Sequence, residues 1–277
     1  MYQSELRDAV LNLRKVTARL RRAVPTMRGF TLVYQPQANR QGKVVAAEAL
    51  LRWDPQCGHA VGPTVFIPAL ERAGLIAPVG RWVIEQALAQ LVAFRAAGIP
   101  LRHIGVNVSA RQLQPDFVDF VRDATRRAGL KPKDLVLELT ESQAVADSGR
   151  FADTIRALAA AGFAWEIDDF AAGYASMRWL RTLEFRGLKI DRSVLINPKE
   201  PPKMIYAICV MAKVLELRTT CEGVETQEQW DRIIKSGVHR VQGYLVGHPV
   251  SPEEFAAQYS LATSFAGSRQ LAPTPPV

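Results

Sequence analysis

Charged and polar side chains stand in this chain where a folded protein should be least willing to place them. Seven short, β-rich runs each carry such a group inside the run or at its end. They are Val44-Val45-Ala46-Ala47-Glu48-Ala49-Leu50-Leu51-Arg52, Val106-Asn107-Val108-Ser109, Leu135-Val136-Leu137-Glu138-Leu139-Thr140-Glu141, Glu166-Ile167-Asp168-Asp169, Leu188-Lys189-Ile190-Asp191, Cys221-Glu222-Gly223-Val224-Glu225, and a last run that holds Gln242. A strand covered on both faces should be almost wholly apolar, because an unpaired buried charge is costly. One buried acid is ordinarily a satisfied structural group; seven runs with the same feature point to a site.

If Glu48, Glu138, Asp168, Asp169 and Glu222 meet in one cup, their repulsion at neutral pH must be relieved by protonation or by divalent cations. Asn107 would add a neutral oxygen. With His and Cys missing from the set, an all-oxygen site suits Mg²⁺ or Mn²⁺ better than zinc. The adjacent Asp168 and Asp169 could let one carboxylate bridge two ions, an arrangement suited to in-line displacement at phosphorus. Lys189 and Arg52 would supply positive charge for phosphate oxygens or an attacking water. These residues indicate metal-dependent phosphoester hydrolysis, with metal-assisted enolisation as a competing chemistry.

The elements that must bring these residues together follow from the pattern after Gly29, where short β-rich runs alternate with longer helical ones. Eight strands are predicted over Phe30–Gln37, Lys43–Trp53, Ile104–Ser109, Leu135–Glu141, Phe163–Phe170, Gly187–Asp191, Arg218–Glu225 and Arg240–Val246. Helices are predicted over Thr64–Ala73, Val79–Ala97, Asp116–Ala128, Arg150–Ala161, Tyr174–Leu183, Pro202–Leu217 and Thr226–Ser236, with a last one after Pro252. The fold class is therefore α/β, a modified (β/α)8 TIM barrel of about 250 residues preceded by an N-terminal helix. Only Ala38–Gly42 separates the first two strands, too short for a helical crossover, so one strand near the start should be antiparallel. In such a barrel the chemistry sits at the C-terminal ends of the strands, where the seven polar segments would converge.

The chain has 277 residues and a formal net charge of +8. Residues 1–28 hold seven basic and two acidic side chains, a surplus of five, which leaves three for the rest. With no nucleic-acid-binding signature, the basic segment reads as one helix face and not as a nucleic-acid site. Leu6, Leu13 and Leu20 alternate with Val10, Thr17 and Val24 in a heptad pattern that Pro25 stops. Leu at d with β-branched residues at a favours a parallel two-stranded coiled coil. Ala9, Val16 and Ala23 widen the stripe, which equally suits a helix lying on its own barrel. Three cysteines, with no secretory leader, argue against a disulfide framework and for a reducing, cytoplasmic setting. No apolar run is long enough for a membrane span. Cys57 and His59 read as loop residues, since two ligand types do not make a metal site.

The segments Glu48-Ala49-Leu50-Leu51-Arg52-Trp53, Asn107-Val108-Ser109-Ala110-Arg111-Gln112-Leu113, Glu138-Leu139-Thr140-Glu141-Ser142, Asp168-Asp169-Phe170, Leu188-Lys189-Ile190-Asp191, Glu222-Gly223-Val224-Glu225-Thr226 and Gln242-Gly243-Tyr244 resemble, in order, the motifs of the EAL domain, which hydrolyses the bacterial second messenger cyclic di-GMP. The resemblance covers roughly residues 30–260. It implies a barrel with one reversed strand, hydrolysis to linear pGpG, dependence on one or two Mg²⁺ or Mn²⁺ ions, and frequent dimerisation. By position, Glu48, Asn107, Glu138 and Asp168 match the family's metal ligands, and Asp169 matches a ligand of a second ion. Glu222 matches the general base or second-ion ligand, and Lys189 the lysine on the nucleophilic water. Arg52, Leu51 and Gln242 are expected at the substrate, with Arg52 on phosphate and Gln242 at the metal and water site. Glu141 matches a residue that fixes the loop after strand five, and Glu225 has a supporting place.

One segment departs from the pattern. After Asp168-Asp169-Phe170 the family usually has Gly-Thr-Gly-Tyr-Ser-Ser-Leu, whereas this chain has Ala171-Ala172-Gly173-Tyr174-Ala175-Ser176-Met177. Lost hydroxyls and lost φ > 0 freedom would loosen the second metal site, so the alternative to an active enzyme is a catalytically impaired cyclic di-GMP receptor. The expected organisation is a basic linker helix over 1–28, the catalytic barrel over 29–265 and a disordered tail over 266–277. The resemblance further implies an upstream sensory or cyclase domain.

Overall fold

The computed structural model describes residues 2–55, 60–140, 152–172, 180, 183–195 and 203–260, with side chains from residue 13 onward. Eight strands close into a barrel in chain order: β1 Phe30–Asn39, β2 Val44–Trp53, β3 His103–Asn107, β4 Leu135–Thr140, β5 Ala164–Phe170, β6 Gly187–Ile190, β7 Arg218–Cys221 and β8 Arg240–Gln242. β1 is antiparallel to both β2 and β8, and every other neighbouring pair is parallel. The short connection from Asn39 to Val44 permits only a hairpin, which reverses the first strand as expected.

Eight helices lie among the described residues: α1 Tyr2–Ala23, α2 Pro63–Arg72, α3 Ile76–Ala96, α4 Phe117–Arg127, α5 Ala152–Ala160, α6 Lys203–Val214, α7 Gln227–Lys235 and α8 Pro252–Tyr259. The apolar core lies largely between them and the barrel wall. Ile104, Val106, Leu137, Leu139, Trp165, Ile167, Leu188 and Ile190 are buried along the strands, and Leu88, Leu91, Phe94, Ile155 and Leu158 are buried along the helices. These strand positions alternate with Gly105, Glu138, Glu166 and Lys189, so period two sends the polar set to the barrel interior. Polar side chains on the inner face are therefore a consequence of register.

Over residues 13–23 the apolar stripe of α1 faces α2 and the chain's own core: Leu20 and Ala23 are buried, as is Val24 just past the helix, and Leu13 and Val16 pack against the same core. The helix expected over 174–183 falls almost wholly outside the described residues, as do the tail 266–277 and the loop of Cys57 and His59. No helix among the described residues is long and apolar enough to cross a membrane.

Four strands end before the apolar pattern suggests: strand three at Asn107, six at Ile190, seven at Cys221 and eight at Gln242. Past the rim, Val224 N–H donates to the Gln242 carbonyl and Leu245 N–H to the Val224 carbonyl, so these apolar residues link two loops across the mouth without extending the ladder.

Candidate active site

The inner face of the barrel delivers its acids to one lysine. Lys189 on β6 is 1% exposed, and its Nζ lies 2.7 Å from Glu222, 2.8 Å from Glu138, 3.0 Å from Asp168 and 3.1 Å from Glu48. These partners come from the end of β7, from β4, from β5 and from β2. Room for them is made partly by glycine: a Cβ on Gly105, beside Glu48 and Val136 in the ladder, would stand 2.1 Å from Glu138 Oε1. Any larger residue there would displace the carboxylate.

Asp168 and Asp169 are consecutive, and an unbroken strand would point them to opposite faces. The ladder between β5 and β6 shifts register between Ile167 and Phe170, and Asp169 adopts a left-handed backbone with φ of 55°. This irregularity turns Asp169 toward the mouth, a common use of a bulge beside a site. One oxygen each from Glu48, Glu138 and Asp168 lies within 4.8 Å of the others, and the same holds for Asp168, Asp169 and Glu222. Asp168 belongs to both triads. Two residues on, Ala171 is also left-handed, with φ of 72°.

Four carboxylates around one ammonium leave the cluster with excess negative charge, and the ionisation of its members reflects this. Burial, and then the Glu48 charge, push Glu138 well above the usual carboxylate range, with Lys189 only partly compensating. Burial likewise raises Asp168, and it raises Glu222 to about 8 against the pull of Lys189. Asp169 rises to about 6 through burial and the Asp168 charge. Glu48 goes the other way. Burial would raise it, but the Lys189 charge and hydrogen bonds from Gln242, Lys189 and Asn107 hold it below its ordinary value. Burial would lower Lys189, yet the four acids keep it well above the usual lysine range.

The remaining expected residues surround this cluster. Asn107 Nδ2 donates to Glu48 Oε1 at 2.6 Å, leaving its own Oδ1 as a neutral oxygen donor. Gln242 Nε2 donates to Glu48 Oε2 at 2.6 Å. Arg52 and Leu51 line the same cavity, of about 530 Å³, and Arg52 Nη1 donates to the Leu51 carbonyl. Glu225 is exposed at the cavity edge, where Thr226 and Gln229, not Glu225, cap α7. Glu141 lies outside the described residues.

Sequence reasoning gave no role to Gln35, whose Oε1 accepts from Gln242 Nε2 at 3.0 Å, or to Asp191, which lines the cavity and whose charge helps raise Asp169. The signal for Gln35 was present. Gln35 and Gln37 are two apart in an otherwise apolar run and must share a face. The donor set itself suits a hard divalent cation: the potential ligands are all oxygens, they form two triads sharing Asp168, and their excess negative charge is what such an ion would neutralise.

The EAL domain family model matches residues 17–249. The bifunctional diguanylate cyclase/cyclic di-GMP phosphodiesterase MucR of Pseudomonas aeruginosa is 36% identical over 236 residues, 83% of this chain and 34% of that protein. The cyclic di-GMP phosphodiesterase PA2567 of the same organism is 35% identical over 243 residues, 85% of this chain and 41% of that protein. The chain thus spans well under half the length of these curated relatives. Among solved structures, the PaMucR phosphodiesterase in complex with c-di-GMP superposes with a TM-score of 0.78 at 35% identity, covering 84% of this chain and 97% of that one. With that family model matching residues 17–249 and the chain folded as a barrel with one reversed strand, this chain belongs to the EAL domain family.

Proposed function

We propose that the chain hydrolyses cyclic di-GMP to linear pGpG in a reaction that depends on Mg²⁺ or Mn²⁺. The observation that carries this reading is the four-carboxylate ring around Lys189 at the floor of an open cavity. It is supported by family membership and by relatives named as cyclic di-GMP phosphodiesterases. Glu48, Asn107, Glu138 and Asp168 would hold one ion, and Asp169 and Glu222, sharing Asp168, a second. A bound cation would supply Lewis acidity, polarising phosphoryl oxygens and making water a stronger acid.

The chain's own groups divide the remaining work. Lys189 stays protonated, so it can donate to an oxygen nucleophile and offset charge but cannot take a proton. Of its four partners, Glu222 has the most accessible side chain, 18% exposed, and is the best placed to accept the proton released by water. Arg52 offers positive charge at the cavity wall for a phosphate, beside Leu51. Water adds at phosphorus, one phosphoester bond breaks, and the ribose oxygen leaves with a proton.

The basic segment 1–28, which contains α1, acts in this reading as the link to an upstream sensory or cyclase domain, the barrel domain extends to about residue 265, and the working form is a cytoplasmic homodimer. The deciding experiment is incubation of the purified chain with cyclic di-GMP and Mg²⁺ or Mn²⁺, followed by chromatography. Appearance of pGpG is expected only with metal. Tight binding with intact ligand under both metals would replace the enzyme by the receptor.

A further inference from the structure

Below the acidic cup, the barrel interior holds a second polar layer that the proposed reaction does not use. Arg240 on β8 is 6% exposed and its Nη2 pairs with Glu166 on β5, while its Nη1 contacts His103 Nε2. Burial, and then the Arg240 charge, hold His103 well below the usual histidine range, so its ring is neutral and can accept. The Arg240 Nη1 also donates to Gln37 Oε1 at 3.2 Å. Gln37, 1% exposed, donates through Nε2 to Gln242 Oε1 at 2.8 Å. Gln242 in turn donates to Glu48 Oε2 at 2.6 Å.

The polarity of this chain is set from both ends. A guanidinium only donates and an ionised carboxylate only accepts. Arg240 therefore requires Gln37 to present its oxygen, which leaves the Gln37 amide nitrogen for Gln242. Gln242 must then present its oxygen downward, which aims its nitrogen at Glu48. Neither amide can reverse without setting oxygen against oxygen or nitrogen against nitrogen in a dry interior, where an unpaired polar atom is costly.

We propose that Arg240 and Gln37 are positioning residues that fix the Gln242 amide and, through it, the Glu48 carboxylate. The consequence for catalysis rests on the phosphodiesterase reading, but the positioning itself can be read without substrate. The test compares Gln37→Glu and Gln37→Met with the parent chain. Gln37→Glu gives Arg240 a better acceptor but offers Gln242 only oxygens, so the Gln242 amide faces acceptors on both sides. Gln37→Met removes one hydrogen-bond partner from each neighbour and imposes no reversed polarity. Thermal melts establish that each variant is folded, calorimetric titration with Mn²⁺ alone reads the site, and hydrolysis of cyclic di-GMP is followed separately.

Positioning predicts Mn²⁺ binding weaker by about ten- to hundredfold in Gln37→Glu, the range for partners that orient metal ligands, and by less in Gln37→Met. Turnover should fall in the same order with KM little changed. A merely structural role predicts the opposite order, with Met worse than Glu. That order, or parental Mn²⁺ affinity in any folded variant, would overturn the proposal; if only one variant folds, its affinity alone decides. A parent that binds Mn²⁺ yet leaves cyclic di-GMP intact would sink the phosphodiesterase reading and leave this one standing, whereas a parent that binds no Mn²⁺ overturns both.

Discussion

Lys189 Nζ lies closer to Glu222 Oε1, at 2.7 Å, than to any of its other three carboxylate partners. The pair joins the fully buried floor of the cup to its more accessible rim. The ammonium fixes the glutamate's position, while burial keeps the carboxyl's proton affinity high, at a pKa of about 8. A carboxyl group at the accessible rim, held in place by a permanent donor, is well placed for proton transfer.

Glu222→Gln keeps this geometry, since the amide oxygen can still accept from Lys189, but removes the charge and the proton acceptor. Cyclic di-GMP binding is expected to stay within about tenfold of the parent, or about 1.4 kcal/mol. Hydrolysis is expected to fall by at least about a hundredfold, as for loss of a general acid–base group. Calorimetry and product chromatography on both proteins check the pair. Equal turnover would remove Glu222 from the reaction.

Glu138→Gln addresses the excess charge. Glu138 is 1% exposed and stands among like charges, so neutralising it should leave the metal-free chain at least as stable as the parent. The same change should shrink the rise in melting temperature produced by Mn²⁺, because a ligand stabilises the fold only as far as its affinity allows. Melts with chelator and with saturating Mn²⁺ read both effects. A full Mn²⁺ shift in the variant would exclude Glu138 as a ligand.

How much of this was legible in the sequence depends on what announces itself locally. Glu48, Glu138, Lys189 and Asp168 interrupt apolar runs, and the recurrence of such charges over several runs is what points to a site. The reversed first strand followed from a connection too short for a helix. Strand ends were read too far because Val224, Leu245 and Val246 are apolar for a different reason, the packing of two loops across the mouth. The left-handed turn at Asp169 is a property of the ladder between β5 and β6 that composition does not encode. Period two puts Gln37 on the face of Gln35 and Arg240 on the face of Gln242, but the pairing of Arg240 with Gln37 spans 203 positions, which no local pattern encodes.

Among the described residues, Ala171 is a departure from the family pattern whose cost the backbone makes visible. Its φ of 72° places a Cβ in the left-handed region, where glycine is at ease and alanine is strained. Ala171→Gly should therefore stabilise the chain, by about 0.5–1 kcal/mol after the greater freedom of glycine in the unfolded state is deducted. Urea denaturation measures this directly. Because Ala171 follows Asp169 closely, tighter Mn²⁺ binding should accompany it. A destabilised variant would show that the left-handed turn is not held in solution.

The opposite end of the barrel gives a pH prediction separate from the metal cluster. Arg95, in the last turn of α3, donates to Asp134 Oδ1 at 2.9 Å and to the carbonyls of Leu101 and Arg102, while Asp134 Oδ2 accepts from the Lys131 N–H at 2.7 Å. Burial alone would raise Asp134, but these hydrogen bonds and the Arg95 charge hold it below its ordinary value of 3.8. The folded chain therefore binds this proton less readily than the unfolded one. The resulting stability is present above the ordinary value and is lost as pH falls through the lowered one. Asp134→Asn should cost about 1–2 kcal/mol at neutral pH, allowing for the partial exposure of Arg95. Its deficit against the parent should shrink as pH falls below about 4, where the unfolded parent begins to take up this proton while the folded one still resists it. Urea denaturation of both chains at neutral and acid pH decides, and a deficit that stays constant across that range would show that the Arg95–Asp134 pair contributes packing alone.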